Sequence, residues 1–164
     1  FLVCSWGVPG NTTITKGNLM STADLLHALN ALDFPHQEDR PNVRRDIHKA
    51  PLGFVLGKIR NRPSTVQKCN LLKPIANSKA SQSGKYAEIE QLARAVMKNH
   101  NPNFKFSTIQ VYKNVRTAKH KDGYNIGASC MLGLGNYTGG NVIIYDEDGV
   151  ESASVPTKKP MGTV

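Results

Sequence analysis

The hydrophobic period of this chain changes at Asn101-Pro102-Asn103, and that change constrains its fold more than any other feature. Before the break, Lys85–Asn99 carries Tyr86, Ile89, Leu92, Ala93, Val96 and Met97 at helical spacing, an apolar stripe suited to packing on a core. After it the pattern is β. Phe106–Lys113 is rich in β-branched and aromatic residues, Ala128–Leu134 is an apolar run with small residues, and Asn141–Tyr145 is another apolar run. Gly139-Gly140 marks a turn or bulge, and Asp146-Glu147-Asp148-Gly149 has the composition of a hairpin turn. A helical stripe followed by successive β runs predicts an α+β fold.

The N-terminal half is less regular. Phe1–Val8 reads as a short buried strand ended by Pro9-Gly10. Ser21 has the chemistry of an N-cap, and the helix that follows it through Leu32 carries Leu25, Leu26, Leu29 and Leu32 on one face. Residues 33–50 are polar, contain Pro35 and Pro41, and predict a loop. Phe54–Ile59 predicts a strand, and Asn61–Gly84, rich in Ser, Asn, Lys and Pro, predicts a long loop. Val150–Val164 has little pattern. His27 reads as a surface or core-edge histidine, while His36 and His48 lie in the predicted loop without partners at metal-ligand spacing. A length of 164 residues suits one domain able to bury a substantial core. The chain begins with Phe1 instead of Met, the pattern of a fragment or a processed product.

Charge and cysteine usage bear on partners and setting. The chain has 21 Lys+Arg against 12 Asp+Glu, a formal net charge of +9. A basic domain of this kind is suited to nucleic acid or another polyanion. The charges are scattered, from Arg40 to Lys68 and again from Lys113 to Lys121, so a solvated basic surface is the competing reading. Cys4, Cys69 and Cys130 are far apart and form no CxxC, which argues against a disulfide framework or a zinc site. Reduced thiols favour an intracellular setting, cytoplasmic or nuclear. No apolar run approaches the roughly 18 residues of a membrane span. The sequence carries no signature of oligomeric state.

The segment that carries chemistry is His120-Lys121-Asp122. On an extended chain, residues i and i+2 point to one face, so the imidazole and the carboxylate can grip one cation. An HxD alone is weak evidence, because random sequence supplies it readily. Its surroundings are more specific: a strand ending at Asn114, then His120 and Asp122, Asn125 and Gly127, Leu134-Gly135 and Thr138-Gly139-Gly140. Over residues 106–149 this pattern resembles the 2-oxoglutarate/Fe(II)-dependent dioxygenase superfamily, in particular the branch that contains the TET and J-binding-protein nucleobase oxygenases. The resemblance implies a double-stranded β-helix, or jelly roll, with the helix 85–99 outside it. It implies Fe(II) held by His120 and Asp122, 2-oxoglutarate as co-substrate, and hydroxylation of a C–H bond, with a nucleobase (hence DNA modification) as the first expected substrate and a protein side chain as the second. By the same resemblance Asn125 and Ser129 lie near the site, although turn and strand filler explains them as well. Asn114 ends the strand before HxD, and Arg116 and Lys119 have the charge to attract a phosphate or carboxylate, although solvated surface charge explains them better. On this reading residues 1–164 form a single dioxygenase-like domain, with N-terminal elements in 1–105, the metal-site core in 106–149 and a tail in 150–164.

One departure from the pattern matters. The family uses a second histidine on a later strand and an Arg or Lys beyond it, and no histidine follows His120 here. Lys158 and Lys159 stand in a Pro-flanked tail without strand pattern. The expectation is therefore a site short of its final strands, completed by a further segment, by a second chain, or by His48 or His100 in an unusual topology. The alternative function is a degenerate or truncated jelly-roll domain that serves as a nucleic-acid-binding or structural module without catalysis.

Overall fold

The computed structural model describes residues 2–6, 20–37, 51–60, 75–115, 117–120 and 129–155. They form an α+β fold in the chain order β1 (Leu2–Trp6), α1 (Thr22–Asn30), β2 (Leu52–Arg60), β3 (Ile75–Asn77), α2 (Lys79–Gln82), α3 (Ala87–His100), β4 (Thr108–Lys113), β5 (Ser129–Gly133), β6 (Val142–Tyr145) and β7 (Glu151–Val155).

The helices start where the sequence has caps. Ser21 and Asp24 form a reciprocal capping box: Ser21 Oγ accepts from the Asp24 amide at 3.2 Å, and the Asp24 carboxylate accepts from the Ser21 amide at 2.8 Å. Hydrogen bonds donated to the carboxylate by the Ser21 amide first and by the Ser21 hydroxyl, at 2.8 Å, second hold the Asp24 pKa below its ordinary value. In α1, Leu25 and Leu29 are buried, one turn apart. In α3, Ile89, Leu92, Ala93, Val96 and Met97 are buried, as the stripe requires. Glu88 and Glu90 stand in its first turn and Lys98 and His100 in its last, each matched to the helix dipole.

Five strands make one antiparallel sheet in the order β3-β2-β4-β1-β5. β4 lies at its centre, with Val111 opposite Phe54 of β2 and Val3 of β1. Directly paired residues share a face of a sheet. One face carries Phe54, Leu56, Ile109, Val111 and Leu132, and these join Leu25 and Leu29 of α1 and the α3 stripe in a single hydrophobic core. α2 is tied to the sheet by Ser81, whose hydroxyl accepts from the Gly57 amide at 2.7 Å and donates to the Glu90 carboxylate at 2.6 Å. Glu90 in turn pairs with Arg94 at 2.7 Å.

β6 and β7 form a separate two-stranded hairpin. Its turn is closed by hydrogen bonds from the Asp146 amide to the Val150 carbonyl at 2.9 Å and from the Gly149 amide to the Asp146 carbonyl at 3.1 Å. The described strands make an open sheet and this hairpin, and they do not close into a barrel. The expected loop at 61–84 also needs correction, since its described part contains β3 and α2. Both are too short to show a period: β3 spans three residues bonded to β2, and α2 is a single turn capped by Ser78. The expected lack of pattern after residue 149 missed β7, whose Glu-Ser-Ala-Ser-Val sequence has only one large apolar residue. No helix among the described residues is long and apolar enough to cross a membrane.

Leu56 is fully buried at the junction of sheet and helices. Replacing Leu56 by Ala should lower the free energy of unfolding by about 2–5 kcal/mol, measured by urea titration of the circular dichroism signal.

Candidate metal-binding segment

β4 alternates apolar and polar residues, Thr108-Ile109-Gln110-Val111-Tyr112, and the alternation divides the sheet into two chemically distinct faces. Ile109 and Val111 enter the helix-covered core. Thr108, Gln110 and Tyr112 lie on the opposite face and are also buried. The Gln110 amide nitrogen donates to the Tyr112 hydroxyl, and the Thr108 hydroxyl donates to the Lys58 carbonyl. The Tyr112 ring lies over Gly53 of β2, where an added Cβ would stand 2.7 Å from ring carbon Cδ1 and 2.5 Å from the Val111 carbonyl oxygen. Position 53 therefore has room only for glycine. On the same face Tyr137 reaches back over Gly133 of β5. A buried amide and two phenols on one sheet face form a polar floor, because buried hydrogen-bonding groups must be satisfied and hold their orientation when they are. The sequence signal for this set is the two-residue spacing of Thr108, Gln110 and Tyr112.

At the end of β4 the chain turns sharply. Asn114 has φ 51°, the one non-glycine residue with positive φ among the described residues. Asn tolerates this left-handed conformation better than most residues because its short polar side chain can bond locally. The Asn expected after the strand thus has a backbone role: it redirects the chain from β4 towards His120.

His120 is exposed, and its Nδ1 lies 2.7 Å from the Ala118 carbonyl oxygen. A carbonyl only accepts, so Nδ1 carries the hydrogen and donates. In the neutral ring the lone pair then belongs to Nε2. Metal-binding histidines commonly have this arrangement, with one ring nitrogen fixed by a carbonyl and the other presented to the ion. The neighbouring Lys119 is exposed, and its ammonium donates to the Gly149 carbonyl at 2.8 Å and lies 3.9 Å from the centroid of the Tyr145 ring.

The other expected site residues divide into two groups. Asp122, Arg116 and Asn125 lie outside the described residues, as do Gly127 and His48. Ser129 opens β5 and is exposed, with its backbone paired to Trp6. His27 is exposed on α1, and His36 forms a β-bridge with Leu52. His100 ends α3, its Nδ1 donating to the Val96 carbonyl at 3.1 Å. Among the described residues, no three His, Cys, Asp or Glu side chains come together as a metal-binding group. Cys130 is half-buried, and that burial pushes its thiol pKa up, making it a poor thiolate donor.

No protein-family model matches the chain, and no curated protein or solved structure matches it.

The left-handed turn can be tested directly. Asn114→Gly should leave stability within about 0.5 kcal/mol of wild type, whereas Asn114→Val should cost roughly 1–2 kcal/mol, because a β-branched side chain clashes in that backbone region. Chemical denaturation of the two variants beside wild type measures the difference.

Proposed function

We propose that this chain is built on the plan of an Fe(II)/2-oxoglutarate-dependent dioxygenase, with His120 and Asp122 as two of its metal ligands. The observation that carries the reading is the His120 ring: its Nδ1–H is fixed by the Ala118 carbonyl at 2.7 Å, which assigns the lone pair of the neutral ring to Nε2 within an HxD motif. An imidazole nitrogen and a carboxylate oxygen two residues apart are a donor pair suited to Fe(II). In such a site the iron supplies oxygen activation, and the protein supplies binding and orientation.

The rest of the chain fits that division of labour. The apolar face of the sheet is filled by α1 and α3, so it has no room for polar chemistry. The opposite face carries Gln110, Tyr112 and Tyr137 on the strand that leads to His120 and on the segment after β5. Two ligands hold an ion less firmly than three, so His120 and Asp122 by themselves are proposed to bind metal more weakly than a full triad. A nucleobase is the proposed substrate class, from the family branch and the net charge of +9.

The same charge favours a second reading, a nucleic-acid-binding module without catalysis. Lys58, Lys79, Lys85 and Lys105 are exposed and available to phosphates. The two readings separate by experiment. Isothermal titration with Mn(II) should show binding to the wild type that Asp122→Ala and His120→Ala each weaken; equal affinity in all three proteins removes these residues from the site. Binding of duplex DNA should weaken with salt at a log–log slope of about −0.9 per phosphate contacted, and a flat salt dependence would remove nucleic acid as a partner.

A further inference from the structure

We propose that Lys119 is the positioning residue of the metal-binding segment, anchoring it to the β6–β7 hairpin so that His120 is held in a fixed orientation. The inference rests on the reading of His120 as a metal ligand.

Two contacts converge on one ammonium group. Lys119 Nζ donates to the Gly149 carbonyl oxygen at 2.8 Å. It sits 3.9 Å from the centre of the Tyr145 ring, well inside the range at which a cation is attracted by a ring face. Gly149 itself has φ 82°, and an added Cβ there would stand 3.0 Å from the same nitrogen. The turn thus presents its carbonyl to Lys119 in a conformation that side chains rarely adopt, with space that glycine leaves open. Residues 119 and 149 are thirty positions apart, so the bond ties the end of the β4 connection to the hairpin tip.

This tie acts on the adjacent residue. The His120 ring is fixed on one side by the Ala118 carbonyl, a local bond two residues away. That bond is local and sets the ring relative to its own backbone. Lys119 adds a long-range tie from the adjacent residue to the hairpin. Without it the segment would be less firmly placed, and more of its ordering would fall to the moment the ion binds. Outer groups that orient a ligand typically change metal affinity by 10- to 100-fold when removed.

The test is titration with Mn(II) alone, followed by calorimetry, together with thermal unfolding of each metal-free protein. Lys119→Met should weaken Mn(II) binding by roughly ten-fold while the unfolding midpoint stays near that of wild type, since the side chain is exposed. Lys119→Arg should recover most of the affinity, because guanidinium also stacks on an aromatic ring and donates to a carbonyl. Gly149→Ala perturbs the contact from the opposite side and should also weaken binding. If Lys119→Met and Gly149→Ala bind Mn(II) as wild type does while His120→Ala loses binding, the positioning role is overturned and the ligand reading stands. If His120→Ala also binds as wild type does, the ligand reading falls and the positioning role falls with it.

Discussion

Everything in this fold is arranged around a strand that is covered on both sides. Thr108 to Tyr112 of β4 are five consecutive buried residues, and the strand is hydrogen-bonded to β2 on one edge and β1 on the other. A central strand of this kind leaves none of its backbone groups to water, which would be costly without both neighbours. Its side chains then have to satisfy two different environments. Ile109 and Val111 meet the apolar stripe of α3 and the leucines of α1. Thr108 and Gln110 meet polar partners on the other side, Lys58 and Tyr112. The fold is stable only if both sets are buried at once, which makes the alternation of β4 its organising constraint.

That division also decides where chemistry can occur. The helix side is a filled hydrocarbon core, in which an unpaired polar group would be heavily penalised. The opposite side carries an amide, a hydroxyl and phenols, with glycine at 53 where the Tyr112 ring needs room. The chain leaves β4 at Asn114 by a left-handed turn and reaches His120 a few residues later. Position and chemistry are therefore coupled through a single strand: the residues that build the sheet also aim the segment that follows it.

The β6–β7 hairpin has a different kind of stability. Two strands alone are marginal in water, and Ile143, Ile144, Tyr145 and Val150 are exposed on this one. Its described ties to the rest of the chain include the exposed bond from Lys119 to Gly149. The cation on the Tyr145 ring covers part of an apolar surface that the hairpin cannot bury against itself.

Much of this was legible in the sequence, and the reason is local. The helical stripe of 85–99, the Ser21 cap, the strands at 54–59 and 106–113 and the turn at 146–149 each follow from side-chain period or turn chemistry within a few residues. His120 stands out in the sequence as part of a compact pattern, a histidine two residues from an aspartate after a strand ending in Asn, and its metal role is a proposal. The short elements β3, α2 and β7 were not, because three to five residues cannot display a period and depend on pairing partners distant in the chain. The closed jelly roll expected from the resemblance was not found among the described strands, since closure depends on how strands meet and not on any one strand's pattern. The role of Gln110 and Tyr112 was also hidden: Thr-Ile-Gln-Val-Tyr shows two faces, but only the packed sheet reveals that both are buried. Lys119 is the clearest case. Its sequence context says only that a cation stands next to a histidine. That its ammonium reaches a carbonyl and an aromatic ring around position 149 was decided by tertiary structure alone, because the partners are separated by thirty residues of chain and meet only when the hairpin folds back on the segment after β4.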